Sequence, residues 1–272
     1  MGSDRFLDSS PGAVVATLLD EGYYLASERT VYRVLADVAG APVRERRRQL
    51  THPAYARPEL IATGPNQVWS WDISKLRGPV KHSYFLLYSI IDIFSRYTSG
   101  WMVADRESEL LAERLIADTI VKQGIEPGQL TVHADRGPSM RSKTVAQMLA
   151  DLGVDKTHSR PYTSTDNPYS EAAFKTLKYR PDYPNRFNDI AHATKWAGGF
   201  FGWYNNEHRH SGIRMLTPAD VHYGRAIQRL AERQLVMDAA YLKHPERFRR
   251  QPHIHALPEA VYINPPAEDP TP

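Results

Sequence analysis

The segment Tyr84 to Asp92 constrains the fold more than any other. Phe85, Leu86, Leu87, Tyr88, Ile90 and Ile91 leave neither face polar, so it reads as a strand covered on both sides and central in its sheet. Such a strand needs neighbours beside it and layers above and below. Upstream, Val68, Ser70, Asp72 and Ser74 alternate with Trp69, Trp71 and Ile73, which predicts a strand with one aromatic face and one that presents Asp72. A third strand runs from about Tyr97 to Ala104, and the short connections imply antiparallel neighbours. Next comes a helix, Ser108 to Gln123, with Leu111, Leu115 and Ile116 inward. A fourth strand, Leu130 to Asp135, is broken by Gly137-Pro138 and leaves Asp135 at its tip. Val145, Met148, Leu149 and Leu152 mark a helix stopped by Gly153, and Val154 to His158 makes a fifth strand. The order predicts an α/β fold with a five-stranded mixed sheet flanked by helices.

A further helix follows. Asn167 reads as its N-cap, Pro168 suits the first helical position, and Pro181 limits the far end. Glu171 lies one turn in, where the helix dipole favours a carboxylate. Lys175 and Lys178 follow at i+4 and i+7 on the same face. Taken alone, that pattern describes a solvated face with an ordinary ion pair.

The flanks differ in character. Residues 1–40 read as a small helical segment: Pro11 to Asp20 carries Val14, Val15, Leu18 and Leu19, and Ser27 caps a second helix with Val31, Val34 and Leu35 on one side. With Arg29 and Arg33 exposed, the pair resembles part of a helix-turn-helix, although two packed helices are the commoner reading. Residues 41–65 form a proline-punctuated basic linker. Between Ala41 and Leu60, Arg44, Arg46, Arg47, Arg48 and Arg57 stand against Glu45 and Glu59, a surplus of +3 that equals the net charge of the whole chain. The basic character is therefore local. Residues 66–224 hold the α/β core, residues 225–248 a helical extension, and residues 249–272 a proline-rich tail expected to lie extended or disordered. With no cysteine, disulfides, thiolate metal sites and cysteine nucleophiles are excluded. No apolar run approaches the ~18 residues of a membrane span, so a cytoplasmic, nucleoid-associated setting is expected.

Three acidic residues now stand out by position: Asp72 on a strand's polar face, Asp135 at a strand tip, and Glu171 on a helix's opening turn, with thirty-five residues between the last two. Trp71-Asp72-Ile73, His133-Ala134-Asp135-Arg136-Gly137 and Asp166-Asn167-Pro168-Tyr169-Ser170-Glu171, followed by Lys175 and Lys178, resemble the retroviral-integrase-type DDE recombinases. Within them, they resemble the transposases of bacterial insertion sequences. Trp203 to Gly212 and Leu216-Thr217-Pro218-Ala219-Asp220 share the resemblance, which covers about residues 64 to 224.

The resemblance implies a ribonuclease-H-like core and a metal-dependent transposase. Asp72, Asp135 and Glu171 would be both the catalytic residues and the ligands of two Mg²⁺ ions, with Mn²⁺ able to substitute. Cutting or joining a phosphodiester without a covalent intermediate requires an activated oxygen nucleophile and charge neutralisation, and paired ions roughly 3.5–4 Å apart supply both. Mg²⁺ prefers hard oxygen donors, hence carboxylates. Asp72 would bridge both ions, with Asp135 and Glu171 each completing one shell. Water would first free a 3′-hydroxyl at the element end, and that hydroxyl would then attack target DNA. The implied partners are element ends, target DNA and further copies of the chain on DNA. Relatives carry a fuller helix-turn-helix region, sometimes on a separate upstream product, so the chain is expected to be a fragment or to need such a product. Lys178 and Lys175 are the expected DNA contacts near the site, with Arg44, Arg46, Arg47 and Arg48 in the linker.

Other features are weighed beside these. His133 shares a strand face with Asp135, so it either touches substrate or is a satisfied sheet histidine. His208 and His210 read as a polar helix end. Tyr162 and Ser164 lack the arginine–histidine cluster of a tyrosine or serine recombinase. The zinc module of the retroviral relatives needs cysteines this chain lacks. Two alternatives remain open: a nuclease of the same fold without strand transfer, and a domesticated, non-catalytic DNA-binding protein.

The linker reading carries its own test. If Arg44, Arg46, Arg47 and Arg48 meet phosphates, replacing all four by alanine flattens the salt dependence of DNA binding by about three to four units of log–log slope. An unchanged slope returns the linker to a solubilising role.

Overall fold

The computed structural model describes residues 11–37, 59–135, 142–160 and 166–265. The linker arginines Arg44, Arg46, Arg47 and Arg48, and also Tyr162 and Ser164, lie outside the described residues. Two compact units divide the chain, residues 1–55 and 56–272.

In the first unit, α1 (Pro11–Asp20) packs with α2 (Glu28–Asp37). Gly22 takes φ 85° after α1, a conformation that costs glycine least. The Ser27 hydroxyl accepts from the Thr30 amide at 3.3 Å, an N-cap for α2.

The second unit is built on a five-stranded sheet in the order β4-β3-β2-β5-β6. Its strands are β2 (Val68–Arg77), β3 (Tyr84–Asp92), β4 (Thr98–Ala104), β5 (Thr131–Ala134) and β6 (Asp155–His158). β2, β3 and β4 run antiparallel, while β5 and β6 join β2 in parallel, so the sheet is mixed as its element order predicts. β3 is buried from Leu87 to Asp92 because both its faces are covered. On one face Trp69, Trp71, Tyr88, Ile90 and Val132 pack against Ile116 of α3 (Glu109–Gln123) and Leu149 of α4 (Lys143–Asp151). On the other, Leu76, Leu87 and Ile91 meet Phe174 and Leu177 of α5 (Pro168–Lys178) and Phe200, Phe201 and Tyr204 of α6 (Ile190–Asn206). Side chains of this size contribute about 1.5–3 kcal/mol each when removed from water. Phe200, Phe201 and Tyr204 of α6 are thus core residues.

After α6 come α7 (Pro218–His222), opened by Thr217 accepting from the Asp220 amide at 3.1 Å, and α8 (Ala226–Lys243). Two short strands depart from the sequence expectation. β1 (Leu60–Ala62) lies within the stretch read as linker, and β7 (Val261–Ile263) within the tail. They pair antiparallel, Leu60 opposite Ile263 and Ala62 opposite Val261, and bury Ala62, Val261 and Ile263 with Val68 and Ile93. Three residues are too few to show a period, and the partner lies at the unit's far end. Among the described residues no helix is long and apolar enough to cross a membrane.

Candidate active site

Two adjacent parallel strands set the first two carboxylates. Trp71 of β2 stands opposite Ala134 of β5, so the next residues are neighbours: Asp72 within β2, still paired with Ser89 of β3, and Asp135 just past the end of β5. Asp72 Oδ1 accepts from the Ile73 amide at 2.7 Å, and Asp135 Oδ1 accepts from the Ser159 hydroxyl at 2.6 Å. Ser159 follows β6, so the third parallel strand orients the second aspartate.

Glu171 arrives on α5, whose start is held to β2 by Ser70. Ser70 is two residues before Asp72 and therefore on the same strand face. Its hydroxyl donates to Asn167 Oδ1 and lies 2.5 Å from Ser170 Oγ, while Asn167 Nδ2 donates to the Trp71 carbonyl at 3.3 Å. Ser70, Asn167 and Ser170 are all fully buried. Asn167 occupies the N-cap position as expected, but its side chain makes no cap bond; the sheet takes it instead. Its carbonyl accepts from the Glu171 amide at 3.4 Å, so Glu171 rides the first turn.

Asp72 lies within electrostatic range of both other carboxylates. Asp72 is pushed up to about 7 from its ordinary 3.8, chiefly by burial, with Asp135 and Glu171 adding repulsion and Lys178 and the Ile73 amide opposing. Among the described residues no three His, Asp or Glu side chains stand close enough to share a single ion. The donors are nonetheless all hard oxygens around a partly desolvated excess of negative charge, a set that suits a hard divalent cation.

Lys178 is exposed, two turns beyond Glu171, within electrostatic range of Asp72 and of Arg77. Its ammonium is pulled below the ordinary value, first by partial burial and then by Arg77, with Asp72 opposing. Lys175 is exposed on the same helix. His133 is placed otherwise than as a DNA contact. It is fully buried, with Nδ1 2.8 Å from Thr157 Oγ1 and Nε2 2.9 Å from the Asp166 carbonyl. A carbonyl only accepts, so Nε2 carries the proton and Nδ1 accepts from Thr157. Burial holds the ring's pKa below its ordinary value, and the neutral imidazole ties β5 to the residue before Asn167. His210 accepts from the Gly212 amide at 3.1 Å, which fits a turn just past α6.

Four residues around the site escape sequence reasoning. Ser70 had a signal in its period-2 relation to Asp72. Ser159, Arg160 and Asn264 had none, because their partners are distant. Arg160 grips Asp166 with Nε and Nη2, each at 3.0 Å, and the Asn264 amide adds a bond at 2.9 Å. The Arg160 hydrogen bonds hold Asp166 down to about 2.

A mixed five-stranded sheet with one acidic side chain within β2, a second just past the end of its parallel neighbour β5 and a third on a helix packed against β2 defines a ribonuclease-H-like core of the integrase type. Two family models, each described as integrase core domain, match residues 62–164 and residues 152–218, together more than half of the chain, and the chain belongs to the integrase-core family. It is 32% identical over 171 residues to the transposase for insertion sequence element IS904 of Lactococcus lactis, covering 61% of this chain and 66% of that protein. It is 27% identical over 211 residues to transposase InsF for insertion sequence IS3A of Escherichia coli, covering 75% and 68%. The chain thus spans about two thirds of the length of these relatives. Among solved structures, a chain of the simian T-cell lymphotropic virus intasome, in complex with PP2A regulatory subunit B56 gamma, superposes with a TM-score of 0.50 at 20% identity. The match covers 77% of this chain and 70% of that one, a likeness of fold.

The raised Asp72 has a consequence for stability. Folded Asp72 keeps its proton to about pH 7, whereas the unfolded chain releases it near 3.8. Between those values the folded state binds more protons, so stability falls as pH rises through the window and levels off above it. Scanning calorimetry in excess chelator should find Asp72→Asn more stable than wild type at pH 8, by roughly 1–3 kcal/mol after allowing for partial exposure, and little different at pH 4. Parallel pH profiles for the two proteins would refute this account.

Proposed function

We propose that this chain is a DNA transposase of a bacterial insertion sequence, a polynucleotidyl transferase whose catalytic residues are Asp72, Asp135 and Glu171. The observation that carries the reading is the placement of three hard-oxygen side chains on β2, β5 and α5, where burial raises Asp72 to about 7 and the charges of Asp135 and Glu171 add to the rise. Such a set fits Mg²⁺ or Mn²⁺, which when bound would neutralise charge on the reacting phosphate and help ionise the attacking hydroxyl. By resemblance Asp72, Asp135 and Glu171 would hold the ions between them. The chain's own residues do the rest. Ser159 fixes the rotamer of Asp135, the Ile73 amide fixes Asp72, and the Ser70–Asn167 grip sets the angle of Glu171. Lys178 lies on the face where a phosphate beside these carboxylates would continue, with Lys175 a turn nearer Glu171. The substrates are element ends and target DNA, and copies of the chain assembled on DNA would hold both together.

The deciding experiment incubates the protein with pre-cut donor ends and a plasmid target in Mg²⁺ and scores joined product. Asp72→Asn, Asp135→Asn and Glu171→Gln are each expected to abolish cleavage and joining while DNA binding survives, since each removes a ligand at nearly constant shape. Near-wild-type joining by any one removes that residue from the site. Full activity in excess chelator ends the metal mechanism, and hydrolysis without joining converts the reading to a nuclease.

Lys178→Ala is expected to keep the fold and melting temperature and to slow joining about ten- to a hundredfold, the worth of one hydrogen bond to a charged group. Lys178→Arg should partly restore the rate. An unchanged rate in the alanine variant would place the side chain in solvent.

A further inference from the structure

α5 carries Glu171 yet has no side-chain cap, because Asn167 is committed to the sheet. Ser70 secures the inner side of the helix start. The outer side is held from the chain's far end. Tyr169, two residues before Glu171, donates its hydroxyl to the Tyr262 carbonyl at 2.7 Å. Its ring packs with the cluster of Ala62, Val68, Ile93, Val261 and Ile263, and the Arg96 guanidinium lies 4.3 Å over it. One residue past β7, Asn264 turns into the left-handed region at φ 55°, which asparagine tolerates well, and donates to Asp166 Oδ1 at 2.9 Å. Asp166 is itself fully buried and immediately precedes Asn167. Residues Val261 to Asn264 thus touch the start of α5 at Asp166 and Tyr169, either side of its first residue.

We infer that Asn264 and Tyr169 are positioning residues for Glu171, and that the strap Val261–Asn264 fixes the direction in which α5 presents that carboxylate to Asp72 and Asp135. The inference rests on the functional reading above. β7 and β1 form a closed two-stranded pair, so the strap is anchored by its own ladder and apolar cluster and acts on α5 through two hydrogen bonds. A carboxylate set by such remote contacts loses rate when they go, because small misplacements of a catalytic group are costly even when the fold persists.

Three variants of the full chain test this. Asn264→Gly removes the amide while leaving the left-handed backbone unstrained. Asn264→Asp keeps the size but sets a carboxylate against Asp166, and Tyr169→Phe removes only the hydroxyl. Expected are a fall in the joining rate constant of about ten- to a hundredfold, greatest for Asn264→Asp, with DNA affinity unchanged. In the metal-free protein, amide hydrogen exchange of residues 169–175 should rise selectively over that of α6 and β3. Two results overturn the inference: α5 exchange equal to wild type, or activity that falls only in step with a lowered melting temperature and uniformly faster exchange. If wild type itself joins no DNA, the functional reading fails, and the exchange comparison alone still decides whether the strap orders α5.

Discussion

Everything at the site depends on a serine hydroxyl buried between a strand and a helix. Ser70 has no water to bond, and neither do Asn167 and Ser170, so their mutual hydrogen bonds are obligatory for each. A slip of β2 by one residue would turn Ser70 and Asp72 together to the opposite face, into the layer where Trp69 and Trp71 pack. The aromatic residues therefore specify the register that aims the acid. Hydrophobic burial fixes which face is which, and the polar grip fixes where the helix sits on it.

The site is a place where the fold accepts repulsion. Three carboxylates share a region partly closed to water, and among the described residues the cation acting on Asp72 is Lys178 at the periphery. Such an arrangement is unfavourable by itself and survives because the surrounding layers are well packed. Asp166 shows the contrary treatment a few residues away: the same chemical group, fully buried, is given a two-pronged arginine and an amide and becomes a structural anion. The contrast between a satisfied and an unsatisfied carboxylate separates framework from site more clearly than burial does.

Much of this was legible in the sequence. Periodicity located β2 to β6 and the helices between them, because each buries a face large enough to impose a pattern. The acids were legible because strand alternation and strand ends place them without knowledge of contacts. Asn167 was legible only as a cap, since capping is local chemistry and its diversion to Ser70 is not. His133 read ambiguously for the same reason; only the positions of Thr157 and the Asp166 carbonyl decide that its ring faces inward. β1 and β7 carried no signal, as each is three residues long and each needs the other to be a strand.

The pairing of β7 with β1 also has a meaning in time. Asn264 lies 93 positions after Glu171, so at about 5–20 residues per second a ribosome delivers it many seconds later. During that interval the growing chain already possesses all three acids, and the helix bearing the last of them lacks its outer support. A nascent chain still on its template thus carries the site's side chains before the site's geometry, which matures only as synthesis reaches the strap.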